Sequence, residues 1–234
     1  MFLFDFMLRK ERTIFFDFSF SNTISVAIAN ERKKEIEVRS SVSSEKFYGT
    51  RFIADVVNSA LKISGVRFDD ISKIVLARGP GSFTALRALI AYAQGISFAL
   101  KIPIYTTLTF RWIALFLGEF FNRKTIKFHL FSGKKNIFYC AEYEFDVGEK
   151  KEKGNEKAKR IAKIKKEKER IFLCGGENLI SSLDIERVVP AELGAKYLAE
   201  LFFTQPDLFD FFSPDEIHKI KPEYLMETDF RKLV

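Results

Sequence analysis

An α/β fold is what this sequence predicts, and three observations carry the expectation. Residues 13–18, 23–29 and 34–41 read as three short strands in succession. From residue 49 to residue 120, apolar runs of strand length alternate with helical patterns. Hydrophobic residues make up 47% of the 234, enough to bury the core of such a fold and too many for a disordered chain.

Each element has its own local reason. The first turn is marked by Ser, Asn and Thr, the second by the charged run Asn30-Glu31-Arg32-Lys33. In residues 49–64, Phe52, Ile53, Val56, Val57, Ala60, Leu61 and Ile63 mostly recur at helical spacing, and Gly65 suits the stop. On that helix Phe52 and Val56 have two readings, core or partner surface, and core is favoured for either one alone. A strand (73–78), a helix (82–100), a strand (103–107) and a helix (109–120) follow. Then 126–132 and 136–145 read as a hairpin around Ser-Gly-Lys-Lys-Asn, 171–174 as a short buried strand, and 191–203 as a helix through Leu193, Tyr197, Leu198, Leu201 and Phe202.

The most informative segment is RGPGSFTALR, residues 78–87. The buried run Ile74-Val75-Leu76-Ala77 leads into it and an apolar helix leaves it, so it reads as strand, tight turn, helix. Gly79 and Gly81 allow a bend that a side chain would block, Pro80 fixes a dihedral, and Ser82 is a good N-cap. Such a turn aims backbone N–H groups outward, toward an anion or a partner's backbone. The lysine of a Walker A loop is missing, and Thr84 stands where a dinucleotide fingerprint needs its third glycine. Anion binding and a plain helix opening both remain open on spacing alone.

Charge is concentrated in residues 149–170, where eleven Lys or Arg face five Glu, so this segment carries +6 of the chain's +7. The rest is near neutral, which excludes a broadly basic nucleic-acid binder. The segment reads either as a flexible or helical cationic arm for RNA phosphates or as a solvated loop between strands. No aromatic residue is interleaved in it, which removes base stacking within the arm.

Cys140 and Cys174 are far apart, so no disulfide framework is expected and a reducing cytoplasm is the default. With only His129 and His218, and no paired cysteines, no metal-ligand spacing is offered. The opening MFLFDFML is interrupted by Asp5 and followed by its charges, unlike a signal peptide. No apolar run is expected to reach membrane-spanning length.

RGPGSFTALR, followed by AQGISFALKIPIY (93–105), resembles the signature of the TsaB (YeaZ) family. IFFDFSFSNTISVAIAN (14–30) resembles that family's opening hairpin, and KPEYLMETD (221–229) its closing Pro-x-Tyr-Leu stretch. The likeness is close over 71–108, moderate over 13–30 and 221–226, and thin between. It implies two ribonuclease-H-like lobes of the actin, hexokinase and sugar-kinase ATPase superfold, the second lobe reduced. The expected layout is an extension (1–12), the first lobe (13–108), a smaller lobe (109–215) with its basic insertion, and a tail (216–234).

The resemblance also implies a catalytically silent cytoplasmic subunit that pairs with TsaD, the catalytic relative, and works with the ATPase TsaE. The tRNA would be met indirectly. A further option is a homodimer that uses the same helices against itself when TsaD is absent. Asp17, Ser19, Gly79, Pro80, Gly81, Ser82, Phe83, Thr84 and Arg87 are expected at a partner or nucleotide groove. Arg87 there has two readings, a phosphate or a surface carboxylate. No catalytic residue and no cofactor of its own is expected, although a nucleotide at the TsaD interface is allowed. Gly175 and Gly176 resemble the adenosine-binding turn of sugar kinases and of TsaD, although an ordinary strand-to-helix turn is the favoured reading.

Departures from the family pattern weaken the ancestral site. Phe18 and Phe20 flank Ser19 where small residues are usual. The Gly-x-Arg-x-Gly that follows the signature loop has become Ala85-Leu86-Arg87-Ala88-Leu89, and the lobe-two hairpin reads Ser132-Gly133-Lys134. Asp17 reads equally as a turn-capping carboxylate and as a ligand. The competing class is a small-molecule kinase or ATPase using Asp17, the 79–84 loop and Gly175-Gly176.

Overall fold

The computed structural model describes residues 11–19, 23–43, 49–121, 125–131, 137–145, 152–160, 172–174, 188–189 and 194–224. The first sheet is built from β1 (Arg12–Asp17), β2 (Thr23–Asn30), β3 (Glu35–Ser43), β4 (Ile71–Ala77), β5 (Ile104–Thr107) and β11 (Asp210–Phe212), in the order β11-β5-β4-β1-β2-β3. β1, β2 and β3 pair antiparallel, while β1, β4 and β5 run parallel. That mixed sheet is the pattern of a ribonuclease-H-like lobe.

The central strands are apolar at successive positions over 14–16, 26–29 and 74–77 because both faces are covered there. On one face Ile14, Phe16, Val26, Ile28, Ile74 and Leu76 pack against α1 (Ile53–Ser64) and α2 (Phe83–Leu100). The alternate residues Phe15, Ala27, Val75 and Ala77 pack against α3 (Thr109–Phe121) and α4 (Gly194–Thr204). The two readings of Phe52 and Val56 resolve to the core: Val56 is buried, and Phe52 is half-buried against the same cluster.

α1 ends where Gly65 takes φ +66°, its N–H reaching the carbonyls of Leu61 and Lys62, as the sequence requires. Ser82 stands at the N-cap of α2, but its side chain makes no capping bond; its carbonyl accepts from Leu86 N at 2.9 Å. The expectation about membrane-spanning length needs correction. With 18 residues and Arg87 as its one charge, α2 is long and apolar enough by length and composition alone to cross a bilayer. The fold uses it as a core helix, burying Leu86, Leu89, Ile90, Ala93 and Ser97.

The second sheet has the order β10-β9-β6-β7-β8, from β6 (Thr125–Phe131), β7 (Ile137–Phe145), β8 (Glu152–Arg160), β9 (Phe172–Cys174) and β10 (Val188–Val189). The expected hairpin is β6–β7. β8 corrects the reading of the basic segment: over 152–160 it is neither helix nor loop but an antiparallel partner of β7. A lysine-rich edge strand resists pairing with another chain, so pattern-poor charge is compatible with strand there.

Residues 194–212, expected in the smaller lobe, lie on the first sheet. Ala195, Leu198, Ala199 and Phe202 of α4 pack on Phe15, and β11 pairs antiparallel with β5. The tail is partly core as well, since Ile217 and Ile220 are buried and Gln94 Nε2 donates to the Ile217 carbonyl at 2.6 Å.

Candidate functional site

Strand parity puts Asp17 on the same face as Phe15, the face covered by α3 and α4, at the very end of β1. It is buried. Oδ1 accepts from the Ser19 backbone N–H at 3.3 Å and from the Ser19 hydroxyl. The Ser19 hydroxyl is also 2.8 Å from that of Thr109, the first residue of α3. Asp17 Oδ2 has no hydrogen-bond partner among the described residues. Beside it stands Gly194, the first residue of α4, so close that a Cβ there would collide with Oδ2. Next along α4, the Ala195 N–H donates to Ser25 Oγ at 3.1 Å. Burial pushes the Asp17 carboxyl up to about 7, against the opposing pull of the Ser19 bonds. Asp17 thus caps its own turn, one of the two roles its sequence allowed.

The Gly-Pro-Gly bend closes this cell from the other side. Its first peptide, Gly79–Pro80, is cis, and Gly79 takes φ +117°. Arg78 N donates to the Thr107 carbonyl at 3.0 Å, and Thr109 N to the Gly79 carbonyl at 2.7 Å, pinning the bend to the β5–α3 corner. Both glycines are needed for close approach, but the approaching backbone belongs to the chain itself. A Cβ on Gly81 would meet the Ser19 carbonyl oxygen at 2.7 Å, and one on Gly79 would meet that of Glu223 at 2.6 Å.

The tail therefore straps the bend. Glu223 N donates to the Arg78 carbonyl at 2.8 Å, and the Arg78 guanidinium pairs with the Glu223 carboxylate at 2.9 Å and Asp210 at 3.7 Å. Arg87 Nε donates to the Tyr224 hydroxyl at 2.9 Å while its guanidinium lies 4.1 Å above the Phe83 ring. The Phe83 and Tyr224 rings are 4.8 Å apart. Tyr224→Ala is expected to destabilise the protein by about 1–2 kcal/mol through the lost stack and hydrogen bond. Hydrogen exchange at the Glu223 amide should accelerate with it; unchanged protection there would contradict the strap.

Of the residues expected at a groove, Asp17, Ser19, Gly79, Pro80 and Gly81 come together and are buried. Ser82 and Phe83 are half-buried, and Thr84 and Arg87 are exposed. Arg87 takes neither of its two expected partners, a phosphate or a carboxylate; it bonds a phenol. Gly175 and Gly176 lie outside the described residues. Thr109, Gly194 and Glu223 belong to the site and were missed: nothing around them in sequence marks them, though Glu223 lies in the KPEYL stretch. Among the described residues no three His, Cys, Asp or Glu side chains gather as metal ligands.

Comparison with known proteins places this geometry. A family model described as "TsaD: tRNA N6-adenosine threonylcarbamoyltransferase" matches residues 50–181, more than half the chain. The chain is 29% identical over 128 residues to the tRNA threonylcarbamoyladenosine biosynthesis protein TsaB of Buchnera aphidicola subsp. Schizaphis graminum, covering 53% of this chain and 60% of that one. Over 49 residues it is 43% identical to the tRNA N6-adenosine threonylcarbamoyltransferase of Clostridium perfringens strain SM101, covering 21% of this chain and 14% of that enzyme. In backbone it resembles YeaZ from Pseudomonas aeruginosa, with a TM-score of 0.63 at 19% identity, covering 92% of this chain and all of that one. The match spans about three fifths of the TsaB of subsp. Schizaphis graminum and about two fifths of the TsaB of Buchnera aphidicola subsp. Acyrthosiphon pisum.

Proposed function

The chain belongs to the TsaD family matched over residues 50–181 and, within it, to the TsaB (YeaZ) proteins of tRNA threonylcarbamoyladenosine biosynthesis, and from that premise we propose that it is the non-catalytic subunit that pairs with TsaD. In this reading it activates TsaD for transfer of threonylcarbamoyl to the adenosine beside the anticodon, in the cytoplasm and together with TsaE. One observation carries the silent role: the place where an ATPase of this fold would hold phosphate is filled by the protein's own backbone. A Cβ on Gly194 would collide with the Asp17 carboxylate, one on Gly81 with the Ser19 backbone and one on Gly79 with the Glu223 backbone. Burial raises this carboxyl to about 7, so it is about half protonated at neutral pH and a weaker cation ligand than an exposed carboxylate.

The exposed face of α2 supports pairing. Thr84, Arg87, Ala91, Gly95, Phe98 and Ala99 recur along it at helical spacing and are all exposed. Small residues there let another helix approach closely, and Phe98, 66% exposed, supplies an apolar anchor. Ile63, on α1 at the same side of the sheet, is 71% exposed. Such a surplus of large apolar surface fits a partner site.

Size-exclusion chromatography with light scattering, of the chain alone and with TsaD, tests the reading. A stable heterodimer is expected, replacing any homodimer. Ala91→Arg should leave the melting temperature unchanged and weaken pairing at least about tenfold, because a charge is forced into a close helix contact. A homodimer that TsaD cannot dissolve would defeat the heterodimer role. Magnesium-dependent ATP turnover near ~1 per second by the isolated chain, abolished by Asp17→Ala, would instead establish the kinase or ATPase class.

A further inference from the structure

Arg87 is the only charged residue of α2, and it stands exposed in the stripe formed with Thr84, Ala91, Gly95 and Phe98. Three contacts fix its side chain. Nε donates to the Tyr224 hydroxyl at 2.9 Å, and the guanidinium carbon lies 4.1 Å from the centre of the Phe83 ring and 5.9 Å from that of Tyr224. Phe83 comes from the preceding turn of the same helix, whereas Tyr224 is brought by the tail. The tail is pinned one residue earlier, where Glu223 bonds Arg78 through both backbone and side chain. That ion pair occupies the acid next to Tyr224 in the chain. Among the described residues, neither Nη group of Arg87 has a hydrogen-bond partner, and no carboxylate pairs with it. The result is a guanidinium held by a phenol and two rings, with both Nη groups uncommitted.

We infer that Arg87, set in place by Tyr224, is the polar anchor of the α2 face and takes a carboxylate on the TsaD helix that packs there. The inference rests on the proposed pairing with TsaD. A guanidinium binds a carboxylate through two parallel N–H···O bonds, and one already immobilised loses little freedom in doing so. Exposed ion pairs contribute little in general. Here the close helix approach that Ala91 and Gly95 permit removes water from around the pair and strengthens it. Phe98 lies eleven residues further along the stripe, about 16 Å away by helical rise. The face is thus two-ended, with a cation near its start and an aromatic anchor near its finish. A partner helix that satisfies both must carry an acid opposite Arg87 and an apolar contact about 16 Å from it, which fixes its direction as well as its chemistry. A second copy of this chain does not meet that requirement through α2, because α2 contains no Asp or Glu. Arg87 therefore favours a heterodimer over self-pairing.

The test is isothermal titration of TsaD into the full-length chain at low, intermediate and high KCl, without nucleotide. Arg87→Gln should weaken pairing at least about tenfold at low salt and flatten its dependence on KCl, because a charge pair has been removed. Tyr224→Phe keeps the ring and removes the hydroxyl. It should weaken pairing about three- to fivefold and move the melting temperature by no more than about 2 °C. In the Arg87→Gln background the same Tyr224→Phe change should cost nothing further, since it acts through Arg87. Self-association of Arg87→Gln, read by light scattering, should not fall. An Arg87→Gln chain that pairs like the unaltered one, additive losses in the double variant, or equal weakening of self-association and TsaD pairing would each overturn the inference. So would a loss that emerges only when ATP and magnesium are added, which would assign Arg87 to a nucleotide phosphate. Ala91→Arg is titrated alongside. If it breaks pairing while Arg87→Gln does not, TsaD docks on α2 without this contact; if the unaltered chain does not pair with TsaD, the parent reading falls as well.

Discussion

Gly81→Ala is expected to lower stability by about 3 kcal/mol, with a fall in Tm of roughly 6–12 °C for a chain this long. The added methyl would stand 2.7 Å from the Ser19 carbonyl oxygen, 3.0 Å from its Cα and 3.2 Å from its carbonyl carbon. All three obstacles are backbone, so no rotamer change relieves them; the β1–β2 turn itself must move. That turn holds Ser19 on Asp17 and against Thr109, so the displacement propagates into a fully buried polar cell. Gly95→Ala is the internal control. Gly95 has open space around its Cβ position and lies mid-helix on an exposed face, so alanine there should raise stability by about 1 kcal/mol. Thermal melts of the two variants side by side decide the matter: if Gly81→Ala melts with the parent protein, the bend is not packed as described.

The second large effect is a pH dependence set by Asp17. Its carboxyl titrates near 3.8 when unfolded and at about 7 when folded. Between those values the folded state binds the extra proton, so stability declines as pH rises, and the loss is complete only above about 7. A separation of this size corresponds to roughly 4 kcal/mol. Asp17→Asn removes the titration while keeping an oxygen to accept the Ser19 bonds. Urea denaturation should therefore find the two proteins similar at pH 4 and the variant more stable by several kcal/mol at pH 8. Parallel stability curves from pH 4 to 8 would sink the claim. The same variant should still support TsaD, since Asp17 carries no chemistry in the proposed role.

Much of the first lobe was legible because its signals are local. β1 and β4 are apolar at successive positions, α1 shows its helical spacing and its Gly65 stop, and the Gly-Pro-Gly bend announces itself between strand and helix. The family resemblance was legible for the same reason, being carried chiefly by contiguous residues within 71–108. Asp17 was also named in advance, together with its turn-capping role, since an aspartate at a strand end bonds its own backbone two residues on.

What the residues alone determined is thus the set of elements, their order in the first sheet's half of the chain, and the glycines without which the bend cannot form. Only the tertiary structure decided who fills the space those glycines leave: Ser19 and Glu223, separated from the bend by about sixty and more than one hundred and forty residues of chain. It alone placed Gly194 on Asp17, returned α4 and β11 to the first sheet, and turned a charged run into an edge strand. The physical reason is common to all of these. Periodicity and turn chemistry report what a residue does with neighbours a few positions away, whereas close packing and strand register are fixed by partners distant in sequence, whose identity no local pattern encodes.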